Sequence, residues 1–184
     1  MKKLAVALAA LALALPASAK KVADVEFADT VDVAGQALKL NGAGIRKKFI
    51  IKVYAGGLYL AAPSGDAAAI VAADAPKRVR MVFLRDVTKK QIVDAYKEGF
   101  EKNSAGPGLA ALIEKLKVLE KGLVDMKENG EMTVTYVPGQ GTTVSAAGGA
   151  PVTVEGKEFA DALFLNWLGK EPADEGLKQA MLGK

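Results

Sequence analysis

The chain has 184 residues, and its 25 basic and 21 acidic residues leave a formal net charge of +4. It contains no histidine and no cysteine, which excludes Ser-His-Asp triads, cysteine nucleophiles, disulfides and zinc sites that need thiolates or imidazoles. Without Lys2 and Lys3, which belong to the N-terminal segment discussed below, the net charge is 23 − 21 = +2, too balanced to indicate nucleic-acid binding. The remaining polar groups suit charge stabilisation and binding better than proton shuttling near neutral pH.

The N-terminus is typical of a secretory signal peptide. Lys2 and Lys3 precede an apolar run over residues 4–15, which is too short to span a bilayer, and small residues follow at 17–19. We therefore expect residues 1–19 to be a signal peptide that is cleaved after Ala19, and residues 20–184 to form one periplasmic domain. No later segment is apolar over a length that could cross a membrane.

Alternation of apolar and polar residues predicts strands in the first part of the mature chain. We expect one strand over residues 21–27 and two short strands within 31–40, which are separated by a turn at 34–36. Asn41 and Gly42 form a further turn signal.

The stretch 41–60 joins a glycine-flanked Arg46 to a β-forming run. Phe49, Ile50 and Ile51 belong to the residue types that are enriched in strands, so we expect them in a strand. A lone arginine beside such a run is commonly a solvated edge residue. The glycines and the arginine begin like a dinucleotide-binding fingerprint, but Lys47 stands where the third glycine should be, which excludes that interpretation.

Helices are predicted by caps and by apolar stripes. Asp66 is expected to cap a short helix over residues 67–73, and Thr88 with Gln91 has the pattern of a capping box. In the helix that follows Thr88, residues spaced three or four apart form one stripe that is expected to face the core. That stripe consists of Ile92, Ala95, Tyr96, Gly99, Phe100 and Asn103.

The rest of the chain continues the alternation of strands and helices. A strand is expected over 77–84, a helix begins after Pro107, and hairpin strands lie within 132–154. A later helix carries Asn166 and Trp167, and a final helix ends the chain. Strands in adjacent runs, with helices inserted as pairs, predict an α+β fold in which a large antiparallel sheet is covered by a layer of helices.

Two polar side chains on the helical stripes have two possible roles. Asn166 is the one polar residue in the stripe of its helix, so it either bonds to the backbone or contacts a ligand. Tyr96 is either a core tyrosine with its hydroxyl at the edge or a ligand contact.

Five short segments, in this order along the chain, resemble the chalcone isomerase-like family, and they look most like its secreted bacterial branch. The segments are Gly42-Ala43-Gly44-Ile45-Arg46, residues 52–60 (KVYAGGLYL), 83–87 (FLRDV), 133–139 (TVTYVPG) and 165–169 (LNWLG). The resemblance implies an open-faced β-sandwich whose sheet and helical layer enclose an apolar cleft. The family includes enzymes that cyclise chalcones by intramolecular Michael addition and non-catalytic proteins that bind fatty acids.

The resemblance places the family's key arginine on Arg46. The enzymes' threonine on the next strand falls on Tyr54, where a tyrosine looks like the fatty-acid-binding members. Their catalytic tyrosine and asparagine fall near Ile92 and Gly99, so both polar groups are missing, and their late threonine or serine falls on Asn166. Tyr96 could replace the missing tyrosine only if the helix were rotated or shifted.

Arg46 and Tyr54 would lie about 26 Å apart on one straight strand, at ~3.3 Å per residue. They can share a ligand only if the chain turns between them, near Lys47 and Lys48.

The first hypothesis is therefore a binding protein for a fatty acid or a similar amphipathic anion, without a cofactor, in which Arg46 and Tyr54 hold the head group. Tyr96, Asn166 and Trp167 are the other candidate ligand contacts. The apolar cleft is expected to include Leu84, Ile92, Leu112 and Leu163 as well.

Two alternatives remain. One is an isomerase or intramolecular lyase that acts on an unsaturated carbonyl compound, with Arg46 as electrophilic stabiliser and Tyr54 or Tyr96 as proton donor. The other is an envelope interaction module, which a filled cleft and an exposed apolar patch elsewhere would favour.

Overall fold

The computed structural model describes residues 19–104 and 106–184. This part of the chain holds nine strands, five α-helices and one turn of 3-10 helix at Glu120–Gly122. The strands are β1 (Ala19–Val22), β2 (Val25–Ala28), β3 (Thr30–Val33), β4 (Gln36–Lys48), β5 (Ile51–Leu60), β6 (Lys77–Phe83), β7 (Glu131–Val137), β8 (Gly141–Ala146) and β9 (Val152–Val154). The helices are α1 (Ala67–Ala72), α2 (Lys89–Asn103), α3 (Leu109–Leu119), α4 (Lys157–Leu168) and α5 (Glu175–Met181).

A seven-stranded antiparallel sheet is the centre of the fold. Its spatial order, β3 to β9, is also the order along the chain, so each strand pairs with its neighbours in sequence. Helix α1 is inserted before β6, helices α2 and α3 are inserted before β7, and α4 and α5 follow β9. The prediction of an α+β fold with a large antiparallel sheet covered by helices is confirmed.

The helices cover one face of this sheet and bury the main core against it. Residues that alternate along the strands, such as Met81 and Phe83, pack there with the buried stripes of α2 and α4. Among the helices that the structure describes, none has the length and apolar character of a membrane-spanning helix.

The other face of the sheet is only partly covered, which makes the sandwich open-faced. The β1–β2 hairpin places Phe27 against this face, where it is fully buried with Leu38 and Tyr59. Arg80 lies on the same outer face, with its guanidinium carbon 5.1 Å from the Phe27 ring centroid.

The predicted helix caps are confirmed. The Asp66 carboxylate accepts from the N–H groups of Ala68 and Ala69, and Thr88 with Gln91 forms a complete capping box. These caps satisfy N–H groups that have no partner within the helix.

Helix α5 lies directly on β4 because β4 carries glycines there. A Cβ on Gly42 would collide with the carbonyl oxygen of Ala180, and a Cβ on Gly44 would collide with the Ala180 side chain. The glycines before Arg46 therefore let a helix approach the sheet closely.

Three local predictions were wrong, each at a turn. Residues 21–27 are two strands, because Ala23 and Asp24 have positive φ and form a turn that the continuous alternation hides. Residues 41 and 42 lie inside β4 at a bulge rather than in a turn, and the Asn41 side chain bonds to Ser64 and Met181.

The third correction concerns Phe49 and Ile50. They form the two-residue loop between β4 and β5 instead of continuing a strand. Their exposed fractions are 90% and 93%, so strand-forming residues here do not pack on the sheet.

We expect Gly42→Ala to lower the free energy of unfolding by about 1–3 kcal/mol, because the added methyl group must displace the C-terminal end of α5. Thermal unfolding followed by circular dichroism measures the effect. Gly108→Ala is the control, since a Cβ at that position has open space. Equal melting temperatures for the two variants would contradict the close approach of α5.

Candidate functional site

Arg46 and Tyr54 face each other across the β4–β5 hairpin. They are eight residues apart in sequence but are directly paired in the antiparallel register, next to a β-bulge. The chain reverses at Phe49 and Ile50, just beyond the position at which the sequence required a turn. The two side chains lie on the helix-covered face, and the Arg46 guanidinium carbon is 5.6 Å from the Tyr54 ring centroid.

Trp167 fixes Tyr54 from the helix layer. Its indole Nε1 donates a 2.8 Å hydrogen bond to the Tyr54 hydroxyl oxygen, and both side chains are buried. Because the Tyr54 oxygen accepts this bond, its own hydrogen remains available to a ligand. The sequence predicted both residues as ligand contacts, and the structure brings them together.

Tyr96 joins this group from helix α2. Its ring meets the Trp167 ring edge-on, with 6.0 Å between the centroids. The Tyr96 hydroxyl is buried and has no hydrogen-bond partner among the described residues. Ile92, where the resemblance placed the enzymes' tyrosine, lines the same cavity one turn earlier, so α2 presents both positions to it.

Asn166 has a structural role at the floor of the site. Its side chain is buried and donates to the Leu163 carbonyl oxygen at 2.9 Å. The amide also occupies the space beside Gly99, where an added Cβ would collide with it. The missing polar residue at position 99 is thus explained, because the Asn166 amide fills that volume from the facing helix.

These residues line a cavity of about 390 Å³ between the β4–β5 hairpin, the sheet, α2 and α4. This volume is within the range of small-molecule sites. Its apolar wall is formed by Val53, Met81, Phe83, Val87, Ile92, Met132 and Trp167.

The polar and charged residues that line the cavity include four predicted ligand contacts, Arg46, Tyr54, Tyr96 and Asn166. The others are Lys48, Arg85, Gln91, Asp94 and Glu98.

Three predicted cleft residues do not line the cavity. Leu112 and Leu163 pack in the main core, and Leu84 is half-buried outside the cavity. The wall residues that the sequence analysis did not assign to the cleft, such as Met81 and Phe83, are strand residues. The alternation of apolar and polar residues identified the core face of β6. It could not show at which end of that face the helices leave a cavity.

The site holds a cation that has no ion-pair partner among the described residues. Arg46 is half-buried, its Nε is buried without an acceptor, and it is absent from every ion pair of residues 19–104 and 106–184. A buried donor without a partner costs about 1–3 kcal/mol, so an oxyanion that accepts from Arg46, Tyr54 and Tyr96 would be bound favourably.

The tyrosines remain neutral near pH 7. Burial raises the pKa of Tyr54 and of Tyr96, although Arg46 opposes the shift at both residues. At the mouth, the carboxylates of Asp94 and Glu98 pair with lysines one helical turn away. The arrangement therefore offers a fixed positive charge and neutral hydroxyl donors, which suit the binding of an anion.

All four tyrosines of the chain have raised pKa values, chiefly because of burial, and that of Tyr136 is about 12. In the unfolded chain, tyrosine has a pKa of about 10. As the pH rises, tyrosines of the unfolded state lose their protons before those of the folded state. The contribution of the buried tyrosines to the free energy of unfolding is therefore complete below pH 10, and it is lost as the pH rises through their folded-state pKa values.

We expect tyrosinate absorbance of the native protein to appear only well above pH 10, together with the loss of circular dichroism. The protein in guanidinium chloride is the reference. A tyrosine that ionises near pH 10 while the circular dichroism remains native would contradict the burial described above.

Comparison with known proteins identifies the fold and the family. A comparison with curated protein sequences gave no match. Among solved structures, a fatty-acid binding protein from Arabidopsis thaliana is similar, with a TM-score of 0.65, 18% sequence identity, and coverage of 86% of this chain and 92% of that one. The family model described as chalcone isomerase-like matches residues 19–183. The chain therefore belongs to the chalcone isomerase-like family.

Proposed function

We infer that this protein is a non-catalytic binding protein for a fatty acid or a similar amphipathic anion. The observation that carries the inference is a pair of buried donors, Arg46 Nε and the Tyr96 hydroxyl, that have no partner in the described part of the chain. Both residues line a cavity with a mainly apolar wall. Buried polar groups in folded proteins nearly always have partners. A ligand with an anionic head and an apolar tail would satisfy the donors and cover the wall.

The head group would bind at Arg46 and Tyr54. A planar guanidinium matches a carboxylate, and such charge-assisted hydrogen bonds are about twice as strong as neutral ones. The Tyr54 hydroxyl would donate a further hydrogen bond in an orientation that Trp167 fixes. The Tyr96 hydroxyl supplies another donor.

The tail would lie along the apolar wall. Each buried methylene contributes about 0.8 kcal/mol, so several contacts with Val53, Phe83 and Ile92 would make binding depend on chain length. Met81 and Met132 are directly paired across β6 and β7, and their flexible side chains can adjust to an acyl chain.

The similar fold of a protein whose title describes fatty-acid binding supports this inference. We further propose that the protein acts in the bacterial periplasm after removal of residues 1–19. That proposal is supported by the sequence of this segment, of which residues 1–18 lie outside the described residues.

An isomerase is the second candidate, because an unpaired arginine and a free tyrosine hydroxyl can also stabilise an enolate and donate a proton. The raised pKa values of Tyr54 and Tyr96 make them weak acids, which favours binding over catalysis. The third alternative, an interaction module, predicts a filled cleft and an exposed apolar patch. The cavity is not filled, although Phe49 and Ile50 do form an exposed apolar patch.

The binding of dodecanoate can be followed by the fluorescence of Trp167, since it is the only tryptophan and lines the cavity. We expect Arg46→Ala to weaken binding by about 10- to 100-fold, because a hydrogen bond to a charged group contributes about 1.5–3 kcal/mol. Arg80→Ala on the outer face of the sheet is the control and should leave the affinity unchanged.

Native mass spectrometry of protein purified from the envelope without detergent tests the same site for its natural occupant. An acyl species that is bound to the wild type and absent from Arg46→Ala would support the proposal. A wild type that binds neither dodecanoate nor a co-purifying anion would contradict it. Cyclisation of hydroxychalcones above the background rate would instead establish the isomerase.

A further inference from the structure

The tip of the β4–β5 hairpin, residues 47–52, exposes an apolar cluster. Phe49 and Ile50 are 90% and 93% exposed, and Ile51 is 46% exposed. Only one other large hydrophobic residue in the described chain, Val118 at 41%, is comparably exposed. The exposed apolar surface is thus concentrated at one narrow projection.

The backbone conformation at Phe49 is one that other residue types adopt more readily, so the turn itself does not explain a phenylalanine at this position. Its φ is +58°, in the left-handed region that glycine and asparagine adopt most readily and that is uncommon for a bulky residue. The side chain gains almost no burial within the chain in return. Its size and apolar character therefore fit a contact outside the chain.

Lysines surround the apolar residues. Lys47, Lys48 and Lys52 are exposed, and none of them forms an ion pair within the part of the chain that the structure describes. Three carboxylates neighbour the tip or the cavity mouth beside it, and each has another partner. Asp174 accepts from the backbone N–H group of Lys47, Glu98 bonds to Lys102, and Asp94 bonds to Lys90.

We propose that this hairpin tip docks onto an anionic lipid bilayer. The aromatic and aliphatic side chains would enter the interface between head groups and acyl chains, while the lysines would remain at the level of the anionic head groups. The charge pattern is complementary to such a surface. A stable protein interface uses roughly 20–30 residues per side, and a tip with three apolar residues is far smaller than that.

The tip is continuous with the cavity. Lys48, Phe49 and Ile51 line the mouth of the same cavity that Arg46 and Tyr54 line. Docking would therefore place the mouth at the membrane, where an acyl ligand could enter or leave without crossing water. This last step rests on the proposed function, whereas docking itself does not.

Vesicle flotation tests the proposal, with phosphatidylcholine vesicles that contain or lack phosphatidylglycerol. The protein is purified from the envelope and its N-terminus is established by intact mass. We expect the wild type to bind the anionic vesicles and added salt to weaken the binding. Phe49→Asn combined with Ile50→Gly should reduce the bound fraction at least tenfold. Asparagine readily adopts the positive φ of position 49, and glycine at position 50 is unrestricted, so this variant retains the fold.

Val118→Ser is the matched control, because it removes the other exposed apolar side chain and should bind vesicles like the wild type. Replacement of Lys47, Lys48 and Lys52 by glutamine should remove the preference for anionic vesicles. Failure of the wild type to bind them, or equal binding by the Asn-Gly variant, would overturn the proposal. A wild-type dimer that the Asn-Gly variant abolishes, without vesicle binding, would assign the tip to a second copy instead.

The experiments distinguish failure of the membrane-docking proposal from failure of the ligand-binding proposal. Tyr54→Phe alters a buried residue of the cavity and should leave vesicle binding unchanged, even where dodecanoate binding is weaker. Wild-type protein that binds vesicles but not dodecanoate would retain the docking surface and reject the proposed ligand.

Discussion

The hydrogen bond from Trp167 to Tyr54 joins the helix layer to the sheet at the site. Tyr54 is held by strand pairing on both sides, to Arg46 and to Phe83, so its position is set by the sheet. Trp167 is set by the buried face of α4. Because both groups are buried, loss of the bond would leave polar atoms without water or partner. The contact holds the Tyr54 ring beside Arg46 and the Trp167 ring beside Tyr96, so the positions of all these donors depend on it.

The same site links ligand occupancy to stability. Arg46 lies against the Tyr54 ring, and its Nε and the Tyr96 hydroxyl have no hydrogen-bond partner within residues 19–104 and 106–184. Binding sites commonly hold groups in arrangements that reduce stability, and the surrounding fold compensates. A ligand that binds only the folded state would recover part of this cost, so occupancy and stability are linked.

The sequence predicted the parts of this molecule whose signals are local. Asp66, Thr88 and Gln91 form caps because their side chains reach backbone N–H groups a few residues away, and the helix and strand types follow from apolar periodicity. Arg46, Tyr54, Tyr96, Asn166 and Trp167 were all candidate contacts, and all five line the cavity.

The errors have a common physical origin in chain reversal and close approach. The alternation over residues 21–27 continues through a turn, and strand-forming residues occupy the loop at Phe49 and Ile50. Gly42 looked like a turn residue, but its lack of a side chain admits α5 to the sheet. A pattern of residue types does not show whether a glycine forms a turn or admits a packed helix, because the helix that packs against it is distant in sequence.

The contact between Gly99 and Asn166 makes the two positions dependent on each other in evolution and in protein engineering. A side chain at 99 has no room while the Asn166 amide occupies that volume, so the asparagine that the resemblance places there in the enzymes cannot simply be added. A smaller residue at 166 must come first. The effects of the two substitutions would then be non-additive, and a chain with this contact could gain a polar residue at position 99 in only one order of mutational steps.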